Sequence, residues 1–212
     1  PIIFQSKRIS FYESALNVLE RKNKLYACGC SRKLIAEANR GSKHFIYPGT
    51  CRNLELPLTL SNTKINSIRL KVSKTFIKNC GDIILRRADG FIAYHLATVI
   101  DDLLLGINEV IRGEDLAQSM FAQLAVIEAL NQRKLSYRHV PILCDSEGKK
   151  LSKRNNDNGL DIFRDRGMYS SEVIGWLAWS LGIIPEISSL SALELLTDLI
   201  KDKKSINTIF GC

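Results

Sequence analysis

Between Tyr94 and Leu143 the chain alternates twice between an amphipathic helix pattern and an apolar strand pattern, and this alternation limits the folds open to it. Helical periodicity over Tyr94 to Leu104, ending in the paired carboxylates Asp101 and Asp102, precedes a strand pattern at Asn108-Glu109-Val110-Ile111-Arg112 that should be buried. A long helix over about Gln118 to Leu130 and an apolar strand at His139-Val140-Pro141-Ile142-Leu143 complete the series. Strands of nearly continuous apolar character separated by helices predict an α/β core around a parallel sheet.

Upstream, Ile9, Tyr12, Leu16 and Leu19 recur at helical intervals and predict a helix over about Lys7 to Lys22, followed by a short strand at Leu25-Tyr26-Ala27. Ser31 is a suitable N-cap for a helix through Ala38, and Gly41 should end it. From Leu58 to Phe76 the pattern is strand-like, with Ile65, Ile68, Leu70 and Val72 interrupted by Asn, Ser and Lys. Gly81 to Tyr94 reads as a hairpin whose turn is Ala88-Asp89-Gly90. After residue 160 the chain reads as all-helical, and no internal repeat occurs.

A chain of 212 residues with 45% apolar side chains has enough material for a real core. No window approaches the roughly 18 uncharged apolar residues that span a bilayer, and Pro1 to Arg8 lacks a signal-peptide layout, so a cytoplasmic protein without a membrane partner is expected. The formal net charge of +8 favours a polyanionic partner, with tRNA, DNA, nucleotides and anionic lipid all admissible.

Cys28 and Cys30, one residue apart, make a poor disulfide and a reasonable metal chelate, and Cys51 returns after a polar stretch. Thiolates favour Zn²⁺, and a tetrahedral site then needs a fourth ligand from Tyr47, His44 or water. Phenol oxygen is an uncommon zinc ligand, so metal-site statistics alone point to His44. The competing reading is three reduced thiols with no metal. Cys80, Cys144 and Cys212 lack partners at ligand spacing and read as structural or incidental.

The heptapeptide Gly148-Lys149-Lys150-Leu151-Ser152-Lys153-Arg154 concentrates four cations and a hydroxyl. Such a segment suits a polyphosphate, which would relieve its self-repulsion through charge-assisted hydrogen bonds, although a solvated basic loop has the same composition. In open α/β sheets ligands bind at the carboxyl ends of strands, where Arg112 and the Lys150 to Arg154 loop should both emerge. Arg112 suits a bidentate grip on a carboxylate; its bland alternative is a surface pair with Glu114 or Asp115. Tyr94 either donates its hydroxyl to the same ligand or belongs to the core, and Asp101 and Asp102 read as structural.

Taken in order, Asp89-Gly90-Phe91-Ile92-Ala93-Tyr94-His95-Leu96-Ala97 with Val99-Ile100-Asp101-Asp102, then Glu109 to Leu116, His139-x-Pro141 and Lys150-Leu151-Ser152-Lys153-Arg154, resemble the class I glutamyl-type tRNA synthetases. Within them the chain is most similar to a shortened branch that attaches glutamate to queuosine, a modified anticodon base, and not to the tRNA 3′ end. Three details carry that choice. Phe91-Ile92-Ala93-Tyr94 replaces the Pro-Thr-Tyr usual in the longer enzymes, Glu109 stands where they tend to have His, and Cys28-x-Cys30, Tyr47 and Cys51-Arg52 match the branch's zinc motif. The similarity runs from about Leu25 to Leu181.

The resemblance implies a partial Rossmann-type catalytic core with a zinc-containing insertion. Residues 1–24 would end the first Rossmann half, 25–84 form the insertion, 85–155 the second half and 156–212 a helical C-terminal region. It implies Lys153, Lys150 and Ser152 as catalytic groups, Lys153 also contacting ATP, and Tyr94 and Arg112 holding glutamate. It also makes Tyr47, with Cys28, Cys30 and Cys51, the ligand set of a structural Zn²⁺. The implied partners are tRNA(Asp), L-glutamate and ATP with Mg²⁺, acting on a monomer. The family's His-x-Gly-His-like signature precedes the matched region, and His44, His95 and His139 lie in no such motif, so residues 1–212 alone are expected to be inactive. A fragment of ordinary glutamyl-tRNA synthetase and a non-catalytic zinc-stabilised tRNA-binding protein are the two alternatives.

Overall fold

The computed structural model describes residues 2–41, 46–60, 66–144, 147, 150 and 159–201. They fall into two compact units, the first built from Pro1–Val110 and Leu116–Tyr137 and the second from Ile111–Asp115 and Arg138–Cys212.

In the first unit a single 3-10 turn at Gln5–Lys7 leads into α1 (Ile9–Arg21), whose Tyr12, Ala15, Leu16 and Leu19 line one buried face. Asn23, at a left-handed φ of 56°, redirects the chain into β1 (Leu25–Cys28). Ser31 caps α2 (Arg32–Ala38) by accepting the Leu34 N–H at 3.2 Å, as expected from its position before the helix.

β1 pairs antiparallel with β2 (Ser67–Leu70), placing Leu25 opposite Leu70 and Cys28 opposite Ser67, and β2 pairs antiparallel with β3 (Ile84–Arg86). These three strands lie upstream of the segment for which a parallel sheet is expected, and both of their pairings are antiparallel. The strand pattern read over Leu58 to Phe76 is corrected: among its described residues only β2 is a strand, and α3 (Lys74–Cys80) begins directly after Ser73. Phe76 and Ile77 pack as neighbours on the same core, so burial overrides their strand propensity.

The hairpin is present. Gly90, at φ 88°, donates its N–H to the Arg87 carbonyl at 2.9 Å, and Arg86 bridges Ile92 antiparallel. Its return arm feeds α4 (Tyr94–Leu104), which packs with α1 and α5 (Ala117–Leu130) against the sheet. Leu16, Leu19, Leu70, Leu85, Leu96, Val99 and Val126 have no exposed surface, and each buried leucine contributes about 2 kcal/mol of transfer free energy. Asp101 accepts from Gln5 Nε2 at 2.9 Å, Arg8 Nε at 2.6 Å and the Tyr12 hydroxyl at 2.9 Å, the structural role read for it.

β4 (Glu109–Gly113) and β5 (Ser136–Val140) form a separate two-stranded sheet. A 3-10 turn at Glu114–Leu116 and the helix α5 connect them, a helical crossover of the kind the α/β reading requires. Two expectations change. The strand at 109–113 is half-exposed and not buried, with Ile111 56% exposed. The second strand begins three residues before the apolar run at 139 and stops at Val140, because Pro141 has no N–H to continue a ladder.

In the second unit the described residues after 160 are helical: α6 (Asp161–Asp165), α7 (Ser170–Ser180) and α8 (Ala192–Lys201). The Glu172 carboxylate accepts the Tyr169 N–H at 2.7 Å and tethers the start of α7. At Gly175 the segment after α7 approaches so closely that an added Cβ would lie 1.6 Å from the Ser188 carbonyl oxygen. Among the described residues no helix is long and apolar enough to cross a membrane.

Candidate metal centre and substrate-binding residues

Cys28 closes β1, Cys30 follows in the turn before α2, and Tyr47 and Cys51 come from the next loop. Cys28 thus lies on a strand, whereas Cys30, Tyr47 and Cys51 lie outside the named helices and strands. Their side chains form a small second core with Tyr26 and Ile35. The Sγ atoms of Cys28, Cys30 and Cys51 all lie within 4.8 Å of one another, and those of Cys30 and Cys51 are 3.4 Å apart. The Tyr47 hydroxyl oxygen is 3.3 Å from Cys28 Sγ and 3.5 Å from Cys30 Sγ.

Those spacings suit a tetrahedral ion. Zinc with Zn–S bonds of 2.3 Å and a Zn–O bond near 2.0 Å separates its sulfur ligands by about 3.8 Å and sulfur from oxygen by about 3.5 Å. The Cys30–Cys51 separation and both measured Tyr47 distances lie within about 0.4 Å of these values, so the three thiols and the phenol oxygen suit four ligand positions. His44, the alternative fourth ligand, lies outside the described residues.

The thiols already differ without a metal. Burial raises the Cys28 thiol, but hydrogen bonds from Tyr47 and the Cys30 backbone, with Arg69 close by, outweigh it and lower it to about 7. Burial keeps Cys30 and Tyr47 above their ordinary values. A site that already favours one thiolate is suited to a cation.

The loop carrying Tyr47 is fixed to the sheet from below. Asp82, 1% exposed, accepts the Tyr26 hydroxyl, Arg52 Nη1 and the Val72 N–H, each at 2.8 Å. Gly81, at φ 62°, bridges Tyr47, and a Cβ there would lie 2.8 Å from the Ile46 side chain and 3.0 Å from the Tyr47 carbonyl. Arg69, from the central strand β2, lays its guanidinium 3.7 Å from the centre of the Tyr47 ring. Neither Asp82 nor Arg69 was identifiable from sequence, since their roles depend on strand register; the adjacency of Arg52 to Cys51 was the one local hint.

The substrate-binding candidates are divided between the units. Tyr94 is the first residue of α4 in the first unit, 52% exposed, with its ring edge-on to His95 at 5.5 Å. It lies outside the core, so the core alternative is set aside. Arg112 occupies the penultimate position of β4 in the second unit, the strand end where it was expected, and its Nε donates to His139 Nε2 at 3.4 Å. Burial, then the Arg112 charge, lowers the His139 pKa and favours the neutral ring that accepts this bond. Lys150 forms an ion pair with Asp115, which Lys150 holds below the ordinary carboxylate range. Lys150 is thus placed near the end of β4, whereas Ser152 and Lys153 lie outside the described residues. His139 is the site neighbour that the sequence offered only as part of a motif.

The sequence matches the family of class I tRNA synthetases (E and Q), catalytic domain, over residues 1–188. It is 51% identical over 210 residues to Glutamyl-Q tRNA(Asp) synthetase of Prochlorococcus marinus strain MIT 9313, an alignment covering 99% of this chain and 69% of that protein. The protein of the same name from Chromobacterium violaceum is 37% identical over 192 residues, covering 83% of this chain and 63% of that one. Among solved structures, a glutamate tRNA ligase from Elizabethkingia meningosepticum in complex with its amino acid superposes with a TM-score of 0.57 at 25% identity. That superposition covers 74% of this chain and 38% of the ligase.

Proposed function

We infer the function of this chain from the family to which it belongs, the class I tRNA synthetases (E and Q), and within it from the glutamyl-Q tRNA(Asp) synthetases. The protein activates glutamate with ATP and Mg²⁺ and transfers it to queuosine in the anticodon of tRNA(Asp). The observation that carries this reading is 51% identity across 99% of the chain to a relative of that name. Phe91-Ile92-Ala93-Tyr94, Glu109 and the Cys28, Cys30, Tyr47, Cys51 pattern favour the queuosine branch over ordinary glutamyl-tRNA synthetase.

In the first step an α-carboxylate oxygen of glutamate attacks the α-phosphorus of ATP, the bond to the β-phosphate breaks, and pyrophosphate leaves. In the second, a hydroxyl of the queuosine ring attacks the glutamyl carbonyl and AMP leaves. We assign the Tyr94 hydroxyl and the Arg112 guanidinium to glutamate. Lys150, Ser152 and Lys153 contact the phosphates, and Lys153 offsets the charge that moves to departing pyrophosphate. The Lys150–Asp115 pair gives Lys150 a resting position from which a triphosphate recruits it.

Cys28, Cys30, Cys51 and Tyr47 hold a structural zinc ion, which cross-links β1 to the following loop and opens no position for substrate. Residues 25–84 then act as a zinc-containing insertion between the two parts of the catalytic core, 1–24 and 85–155, with 156–212 as the helical C-terminal region. Glutamate-dependent ATP–pyrophosphate exchange without tRNA tests the activation step on the purified protein. Exchange with glutamate and not with aspartate or glutamine is expected; no exchange from folded, zinc-loaded protein rejects the reading. Such exchange would also set aside the expectation that residues 1–212 are inactive alone.

A further inference from the structure

Arg69 is 4% exposed, and its guanidinium has fewer partners than such burial demands. Its Nη1 donates to the Asp82 backbone carbonyl at 2.6 Å, while Nε is buried without a partner. The nearby carboxylate of Asp82 is already engaged by Tyr26, Arg52 and the Val72 N–H, and among the described residues no carboxylate pairs with Arg69. A buried cation in this position needs a negative group.

The metal centre supplies one. Three thiolates around a dication carry excess negative charge before the Tyr47 oxygen is counted. Arg69 lies over the Tyr47 ring at 3.7 Å, a stacking that Arg achieves and Lys does not. We propose that Arg69 is a charge-compensating and positioning residue of the metal centre, its stacked guanidinium offsetting the anionic ligand set and holding the Tyr47 oxygen at the fourth ligand position. The inference rests on the zinc site assigned above. It also explains how a phenol serves where histidine is the commoner ligand: the ring is clamped from one side by a cation, and its oxygen is fixed from the other by the Cys51 N–H at 2.8 Å.

The test is a double-mutant cycle on the full chain, reading Zn²⁺ affinity by chelator competition and ligand geometry by the visible spectrum of the Co²⁺-substituted protein. Arg69→Met should weaken zinc roughly 10- to 100-fold, the range for residues that orient metal ligands, and change the Co²⁺ spectrum. In a Tyr47→Phe background the loss caused by Arg69→Met should shrink several-fold, because the oxygen that Arg69 positions is gone. Arg69→Lys, which keeps the charge and loses the flat stack, should fall between, and it replaces Arg69→Met in the cycle if that variant does not fold metal-free. An unchanged affinity overturns the role of Arg69, an equal loss in both backgrounds overturns its positioning of the Tyr47 oxygen, and either leaves the zinc site standing. A parent chain that binds no zinc overturns the site itself.

Discussion

The hydroxyl oxygen of Tyr47 accepts the backbone N–H of Cys51 at 2.8 Å, so the ring's oxygen is oriented by the neighbour that contributes a thiol to the same cluster. Fixed in this way, the oxygen faces Cys28 and Cys30 at 3.3 and 3.5 Å before any metal arrives, which lowers the ordering cost of binding one.

One zinc ion per chain should therefore be retained through purification, and Cys28→Ser should lose it. Because the four side chains are most of the second small core, metal loss should lower the melting temperature by several degrees. Elemental analysis and thermal melts with and without chelator check this; a Cys28→Ser chain that melts as the parent does contradicts it.

Gly175 should tolerate no side chain. A Cβ placed 1.6 Å from the Ser188 carbonyl forces the backbone apart, and Gly175→Ala should cost about 3 kcal/mol or more in denaturant unfolding. Denaturation equal to that of the parent would mean that α7 and the segment at Ser188 are not in this contact.

His139 should titrate below its ordinary value of 6.5, since burial and Arg112 both disfavour the imidazolium. The folded state then binds fewer protons than the unfolded state near that pH. The associated stability is present above pH 6.5 and lost as pH falls through the lower folded value. NMR titration of the ring protons checks the sign. Titration at or above 6.5 would contradict the Arg112–His139 arrangement.

Lys153→Ala should reduce pyrophosphate exchange about 100-fold while leaving glutamate affinity within a few-fold, as expected of a contact that strengthens when charge moves to pyrophosphate. Equal losses in both would remove Lys153 from that role.

Much of this arrangement was legible locally. The Ser31 cap, the turn at Ala88-Asp89-Gly90 and the helix at Tyr94 to Leu104 depend on neighbouring residues, and all three are found where the chain indicated. What was misread depends on distant pairing. The antiparallel placement of β2 between β1 and β3 is invisible in a run of alternating residues, and the burial of Phe76 and Ile77 turns an apparent strand into α3. The cysteine spacing disclosed the thiol cluster, whereas Arg69 and Asp82 reach its surroundings only through strand register.

The most direct test of the account is transfer of labelled glutamate by the purified protein to tRNA(Asp) with and without queuosine. The account predicts label only on queuosine-containing tRNA(Asp), retained after removal of the 3′ terminal adenosine. Label on the 3′ end of tRNA(Glu), or equal labelling of tRNA(Asp) lacking queuosine, would contradict it.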